Sequence, residues 1–161
     1  MRGWLLDTNV ISELRKPNPN ATVTTWVDSQ PQTSLFASPV TLAEIRFGIE
    51  RAQEAQRKQL FVWLETVRQW LGPNVVAIDE DTLIAWRNIL ETLRRTGRPV
   101  GPPDTLIAAS ARQQGFCVAT RNAEEFVYAG VPVFNPWENI LKTPDGRTLK
   151  INGLMTLDRV R

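Results

Sequence analysis

The chain has 161 residues, 42% hydrophobic and 22% charged, which excludes disordered, collagen-like and fibrous classes and suffices for one well-formed core. Its 19 Lys and Arg against 17 Asp and Glu give a net charge of only +2, short of the basic stripe of a duplex-DNA binder. No apolar run approaches the roughly 20 residues of a membrane span, and Met1-Arg2-Gly3-Trp4 does not read as a signal peptide. The lone Cys117, in an apolar stretch, fits a reducing cytoplasm.

Gly3-Trp4-Leu5-Leu6 reads as a buried strand that ends abruptly at Asp7-Thr8-Asn9. A short helix over Val10 to Arg15 stops at Lys16-Pro17-Asn18-Pro19, and a weak helix follows over 21–29. Thr33 to Ala37 is a second strand. Ser38-Pro39 then starts a helix running through Glu50. Residues 53–71 form an amphipathic helix, with Leu60, Trp63, Leu64, Val67 and Leu71 at helical spacing. Gly72-Pro73 ends it, and Val75 to Ile78 reads as a third strand. Asp79 to Arg95 is a helix with Leu83, Trp86, Leu90 and Leu93 inward. Another runs from near Asp104 to Gln114, with Gly115 as its stop. Phe116 to Ala119 is a fourth strand and Val131 to Phe134 a fifth, confined to an edge by Pro132.

Short apolar strands alternating with helices predict an α/β fold: three layers, α/β/α, around a short, mostly parallel sheet. The pattern supports one domain over 1–138. Residues 139–161 lose it and are expected to form a hairpin around Asp145-Gly146 or a mobile extension, dispensable for folding. Residues 1–136 carry 14 basic and 14 acidic side chains, so the excess charge lies in the extension, at Lys142, Arg147, Lys150, Arg159 and Arg161. Those cations are candidates for RNA or partner affinity.

The chain has no histidine, so Ser-His-Asp triads, Cys-His dyads and histidine-ligated zinc are excluded. Any metal is held mainly by oxygen, which favours Mg²⁺ or Mn²⁺. In an open α/β sheet, ligands bind beyond the carboxyl ends of the strands. Asp7 ends the first strand, Asn122 follows the fourth, Asp104 opens the helix feeding the fourth, and Glu44 lies in the helix after the second. Three carboxylates meeting there would repel without a divalent cation.

Each residue also has an ordinary structural reading. Asp7 can cap the following helix, Asp104 can complement a helix dipole, and Asn122 can be a turn residue. The helical wheel alone leaves Glu44 undecided. Asp79-Glu80-Asp81 reads as helix capping, and Glu124-Glu125 as a solvated turn close to Asn122. Arg94, Arg95 and Arg98 form the densest basic cluster, fit to end a helix or to contact phosphates. The six tryptophans fall mostly on apolar faces, as core or dimer packing.

Taken together, the motifs resemble a known family. Leu6-Asp7-Thr8-Asn9-Val10-Ile11-Ser12-Glu13-Leu14 resembles the opening of PIN-domain ribonucleases, particularly VapC-type toxins of bacterial toxin–antitoxin pairs. Thr41 to Ile49, Asp104 to Ala109, Thr120 to Phe126 and Asn135 to Glu138 resemble the family's later motifs, in order, so the resemblance covers about residues 3–138. It implies metal-binding acids at Asp7, Glu44 and Asp104, with Asn122 at the fourth catalytic position. There the family carries Asp or Asn, and Asn brings no charge. Thr8, Asn9, Thr120 and Glu125 are implied to orient the acids or waters. The implied activity is a Mg²⁺- or Mn²⁺-dependent endoribonuclease on single-stranded or looped RNA, leaving a 5′-phosphate and a 3′-hydroxyl. The implied partners are a short antitoxin protein and a second copy in a homodimer, in the cytoplasm, with no membrane.

Two other readings were weighed. A haloacid-dehalogenase-type phosphatase needs a second acid two residues after Asp7, where this chain has Asn9. A PIN fold retained only for protein binding is opposed by intact Asp7, Glu44 and Asp104.

Overall fold

The computed structural model describes residues 1–157; the candidate cations Arg159 and Arg161 lie outside them. The chain builds six strands, β1 (Trp4–Leu6), β2 (Leu35–Ala37), β3 (Cys117–Ala119), β4 (Val133–Asn135), β5 (Ile140–Lys142) and β6 (Thr148–Lys150). They form one sheet in the order β2-β1-β3-β4-β5-β6. The first four are parallel, whereas β4–β5 and β5–β6 pair antiparallel. Among the described residues seven α-helices accompany them: α1 (Thr8–Leu14), α2 (Ala21–Ser29), α3 (Pro39–Glu50), α4 (Glu54–Leu71), α5 (Glu80–Thr96), α6 (Pro102–Gln114) and α7 (Ala123–Tyr128).

The period of two along β1 divides the core. Trp4 and Leu6 point to one face, packing with residues of α1 to α4, while Leu5 points to the other, with residues of α5 to α7. Trp26 of α2 meets Trp4 edge-on, with centroids 5.4 Å apart, and lies 5.1 Å from Phe134. A Cβ at Gly3 would lie 2.7 Å from the Phe36 ring and 2.9 Å from the Ser34 carbonyl, so only glycine fits before β1. The result is the expected three-layer α/β/α arrangement.

Local chemistry sets the element ends. Ser38 accepts from the Val40 N–H, and Pro39 occupies the first turn of α3. Asp79 accepts from both the N–H and hydroxyl of Thr82, so the acidic run does cap α5. Helix α6 opens at Pro102 and Pro103, whose missing N–H groups have no helical partner in any case.

Three expectations are corrected. Val75 to Ile78 is not a strand: the turn Gly72–Asn74 before it and the Asp79 cap after it leave one bridge, Val75 to Ala37. Strand β4 lies inside the sheet, because Pro132 precedes it and the missing N–H falls short of the β5 pairing, which begins at Val133. Leu83 is 44% exposed, and the buried side of α5 is set by Thr82, Ile89 and Leu93.

The segment after residue 139 continues the sheet as the β5–β6 hairpin, turning through Asp145 and Gly146. It then folds back. The Asn139 side chain donates to the carbonyls of Ile151 and Gly153, and Gln30 Nε2 donates to the Met155 carbonyl at 2.9 Å. Met155 is 0% exposed and joins Leu141 in the core beneath α2. That packing runs against the expectation that the extension is dispensable.

Candidate active site

The parallel strands β1 and β3 end side by side, so Asp7 and Thr120 emerge at the same carboxyl edge. Asp7 is 4% exposed and satisfies both of its oxygens locally. Oδ1 accepts from the Thr8 N–H at 2.7 Å, capping α1. Oδ2 accepts from Asn9 Nδ2 and from Thr120 Oγ1, each at 2.7 Å. Asn9 also donates to Thr120 Oγ1 at 2.9 Å and accepts from the Arg121 N–H at 3.1 Å. Asp7 therefore caps a helix, as its ordinary reading expects, and three neighbours fix its carboxylate. Burial pushes its carboxyl above the usual range, while the bonds from Thr120, Thr8 and Asn9 oppose the shift and the Glu125 charge adds to it.

Asp104 sits in the first turn of α6, half-buried. Its carboxyl is pushed up to about 7, first by burial, then by a hydrogen bond with Glu125, then by the charges of Asp7, Glu125 and Glu44. Asp104 thus feels carboxylates from the end of β1, from α3 and from α7 at one edge of the sheet. Glu125, expected to orient the acids or waters, acts on Asp104 through both that hydrogen bond and its charge. Glu44 stands exposed on α3, at a cleft shared with Thr8, Ser12 and Arg15. Asn122 occupies the N-cap position of α7 without capping it, and its own N–H donates to Thr120 Oγ1 at 3.0 Å.

Glu13, on the buried side of α1, accepts from Lys16 and from the Asn20 N–H. These bonds hold its carboxyl below the usual range, and the charges of Lys16 and Arg121 contribute. The Arg121 guanidinium also lies 5.7 Å from the Trp137 ring. Sequence reasoning passed over Arg121 inside Thr120-Arg121-Asn122; its signal was a cation flanked by two residues already marked for the acidic edge.

The donor set suits a hard divalent cation: every candidate ligand is oxygen, and burial together with the neighbouring carboxylates pushes Asp104 up to about 7. Among the described residues, no three acidic, cysteine or histidine side chains form a ready-made cation cage. To hold an ion there, Asp104 would be unprotonated and side chains such as Glu44 would draw nearer.

The PIN domain family matches residues 4–130, and the chain belongs to that family. It is 38% identical over 136 residues to VapC ribonuclease Y4jK of Sinorhizobium fredii, covering 83% of this chain and 97% of that protein. It is 35% identical over 139 residues to toxin FitB of Neisseria gonorrhoeae, covering 84% and 99%. The crystal structure of FitAcB from Neisseria gonorrhoeae superposes with a TM-score of 0.79 at 34% identity, over 83% of this chain and 98% of that one. Among the described residues no helix is long and apolar enough to cross a membrane.

Proposed function

We propose that this protein is a Mg²⁺- or Mn²⁺-dependent endoribonuclease acting on single-stranded or looped RNA, and the toxin of a toxin–antitoxin pair. Relatives bearing the names ribonuclease and toxin support that reading. The observation that carries it is the carboxylate cluster of Asp7, Glu44 and Glu125 with Asp104, whose charges act with burial to push Asp104 up to about 7. A non-catalytic PIN module has no use for such a cluster. By the same reading, residues 1–138 form the catalytic domain, a short antitoxin blocks the site, and the protein works as a cytoplasmic homodimer.

Asp7, Asp104 and Glu44 would hold the ion, with Asn122 completing the catalytic set as a neutral donor. When bound, the ion lowers the pKa of a water and offsets charge developing on the phosphate. Thr8, Asn9 and Thr120 aim both Asp7 oxygens and oppose the upward push of burial on that carboxyl. Glu125 takes part through Asp104, whose carboxyl it helps to push up to about 7.

Incubation of total RNA with the protein and Mg²⁺ or Mn²⁺, followed by sequencing of new 5′-phosphate ends, tests this. Cleavage that disappears in chelator is expected. No new ends with either metal would overturn the reading and favour the interaction module.

A further inference from the structure

We infer that Arg121 and Lys142 form a pair of phosphate grips that seats the RNA strand beside the acidic centre. The inference rests on the ribonuclease reading and adds the path of the substrate. A groove of about 490 Å³ opens between the β3–α7 connection and β5. Its lining includes Asn122 and Glu125 of the acidic edge, so a strand occupying that edge continues into the groove. A polyanion approaching carboxylates meets repulsion, which makes cations along its path decisive for affinity.

Arg121 and Lys142 are the two cations in that lining, and among the described residues neither enters an ion pair. Glu138, in the same wall, accepts from Asn135 Nδ2 at 3.1 Å. The Arg121 backbone N–H is bonded to Asn9, which fixes the base of the side chain, while its guanidinium lies 5.7 Å from the Trp137 ring and feels the Glu13 charge. A guanidinium held in this way loses little entropy on forming a two-pronged phosphate contact. Lys142 comes from β5, beyond the segment matched by the family, so the extension supplies the second grip.

The test uses the full chain and a labelled single-stranded 12-nucleotide RNA. In an Asp7→Asn background, binding is measured across salt concentrations, alone and with Lys142→Ala or Arg121→Ala. Each substitution is expected to make the salt slope shallower by about 0.7, the value of one single-strand phosphate contact. In the cleaving protein, each is expected to raise KM about tenfold with kcat within about twofold, the split expected when binding rather than chemistry is lost. Arg121→Lys should recover part of the KM loss. The Mn²⁺-induced rise in melting temperature should be unchanged, and Lys58→Ala on α4 should alter none of these readouts.

Wild-type cleavage with unchanged KM and salt slope in the Lys142 and Arg121 variants overturns the inference and leaves the ribonuclease reading standing. Weakened antitoxin inhibition with unaltered RNA binding would also overturn it, assigning the groove to the protein partner. Absence of both cleavage and RNA binding in the wild type would remove the ribonuclease reading itself. The Lys142→Ala variant, on β5 and away from β1, keeps the test decisive if Arg121→Ala fails to fold.

Discussion

Thr120 Oγ1 donates to Asp7 Oδ2 at 2.7 Å across 113 residues of chain, joining the carboxyl ends of β1 and β3. The same hydroxyl accepts from Asn9 Nδ2 and the Asn122 N–H, so one threonine organises three residues of the acidic edge. Thr120→Val keeps the shape and removes all three bonds. Leaving a buried carboxylate and an amide short of partners should cost about 1–3 kcal/mol in denaturant unfolding. The Asp7 carboxyl should rise further, since the largest opposing influence is gone. Mn²⁺ affinity should fall with it, which calorimetry can check. A variant with wild-type stability and metal affinity would show that Thr120 only fills space.

Asp7 and Asp104 occupy opposite environments, so their asparagine variants should diverge. Asp7 is surrounded by donors, and an amide there points a hydrogen towards Asn9 or Thr120. Asp104 is surrounded by carboxylates. In metal-free protein, Asp104→Asn should hold or raise the melting temperature, whereas Asp7→Asn should lower it. Both should cut RNA cleavage by orders of magnitude, because water activation and charge neutralisation are lost together. Asn122→Ala should cost less, and Asn122→Asp should tighten Mn²⁺. An Asp104→Asn protein that melts lower yet still cleaves RNA would reduce Asp104 to a helix-terminus charge.

Much of this was legible in sequence because the signals are local. An apolar triplet ending in Asp-Thr-Asn marks β1 and its cap, and Ser38-Pro39 marks the start of α3. The acids could be placed on one sheet edge because parallel strands share an end. What escaped depends on distant pairs with no local mark. Glu125 meets Asp104 only once α7 folds back over α6. Gln30 reaches Met155 across 125 residues, so the extension looked patternless although it closes the core. Pro132 misled because its position relative to the β5 register, not its presence, decides where β4 can lie.

Asp104 also sets a pH dependence. Its folded carboxyl titrates near 7 and its unperturbed value is 3.8, so between those values the folded state binds more protons than the unfolded one. Metal-free stability should therefore fall as pH rises from about 4 to 7, the window between those two values. Asp79, Glu91, Asp145 and Glu13 are held below their usual ranges, so the stability they lend is lost only at more acid pH. Mn²⁺ affinity should rise across the same window as Asp104 releases its proton. Thermal melts at fixed ionic strength, with chelator and with saturating Mn²⁺, separate the two trends. Asp104→Asn should flatten both, and a wild-type profile as flat as the variant's would refute the assignment.

The extension carries a stability prediction of its own. Met155 is fully buried beside Trp4 and Trp26, and Gln30 ties its carbonyl to α2 while accepting from Trp4 Nε1 at 2.9 Å. Met155→Ala leaves a cavity beneath α2 and should cost about 2–5 kcal/mol. At roughly 2–4 °C per kcal/mol for a chain of this size, the melting point should drop by about 4–20 °C. Truncation after Asn139 removes Leu141 as well, strips the β5 partner from β4, and should destabilise more than the point change does. Exposed Leu149 is the comparison: Leu149→Ala shortens an apolar side chain in the same extension and should stay within about 1 kcal/mol of wild type. Equal melting temperatures for wild type and Met155→Ala would mean that the extension rests on the fold without supporting it.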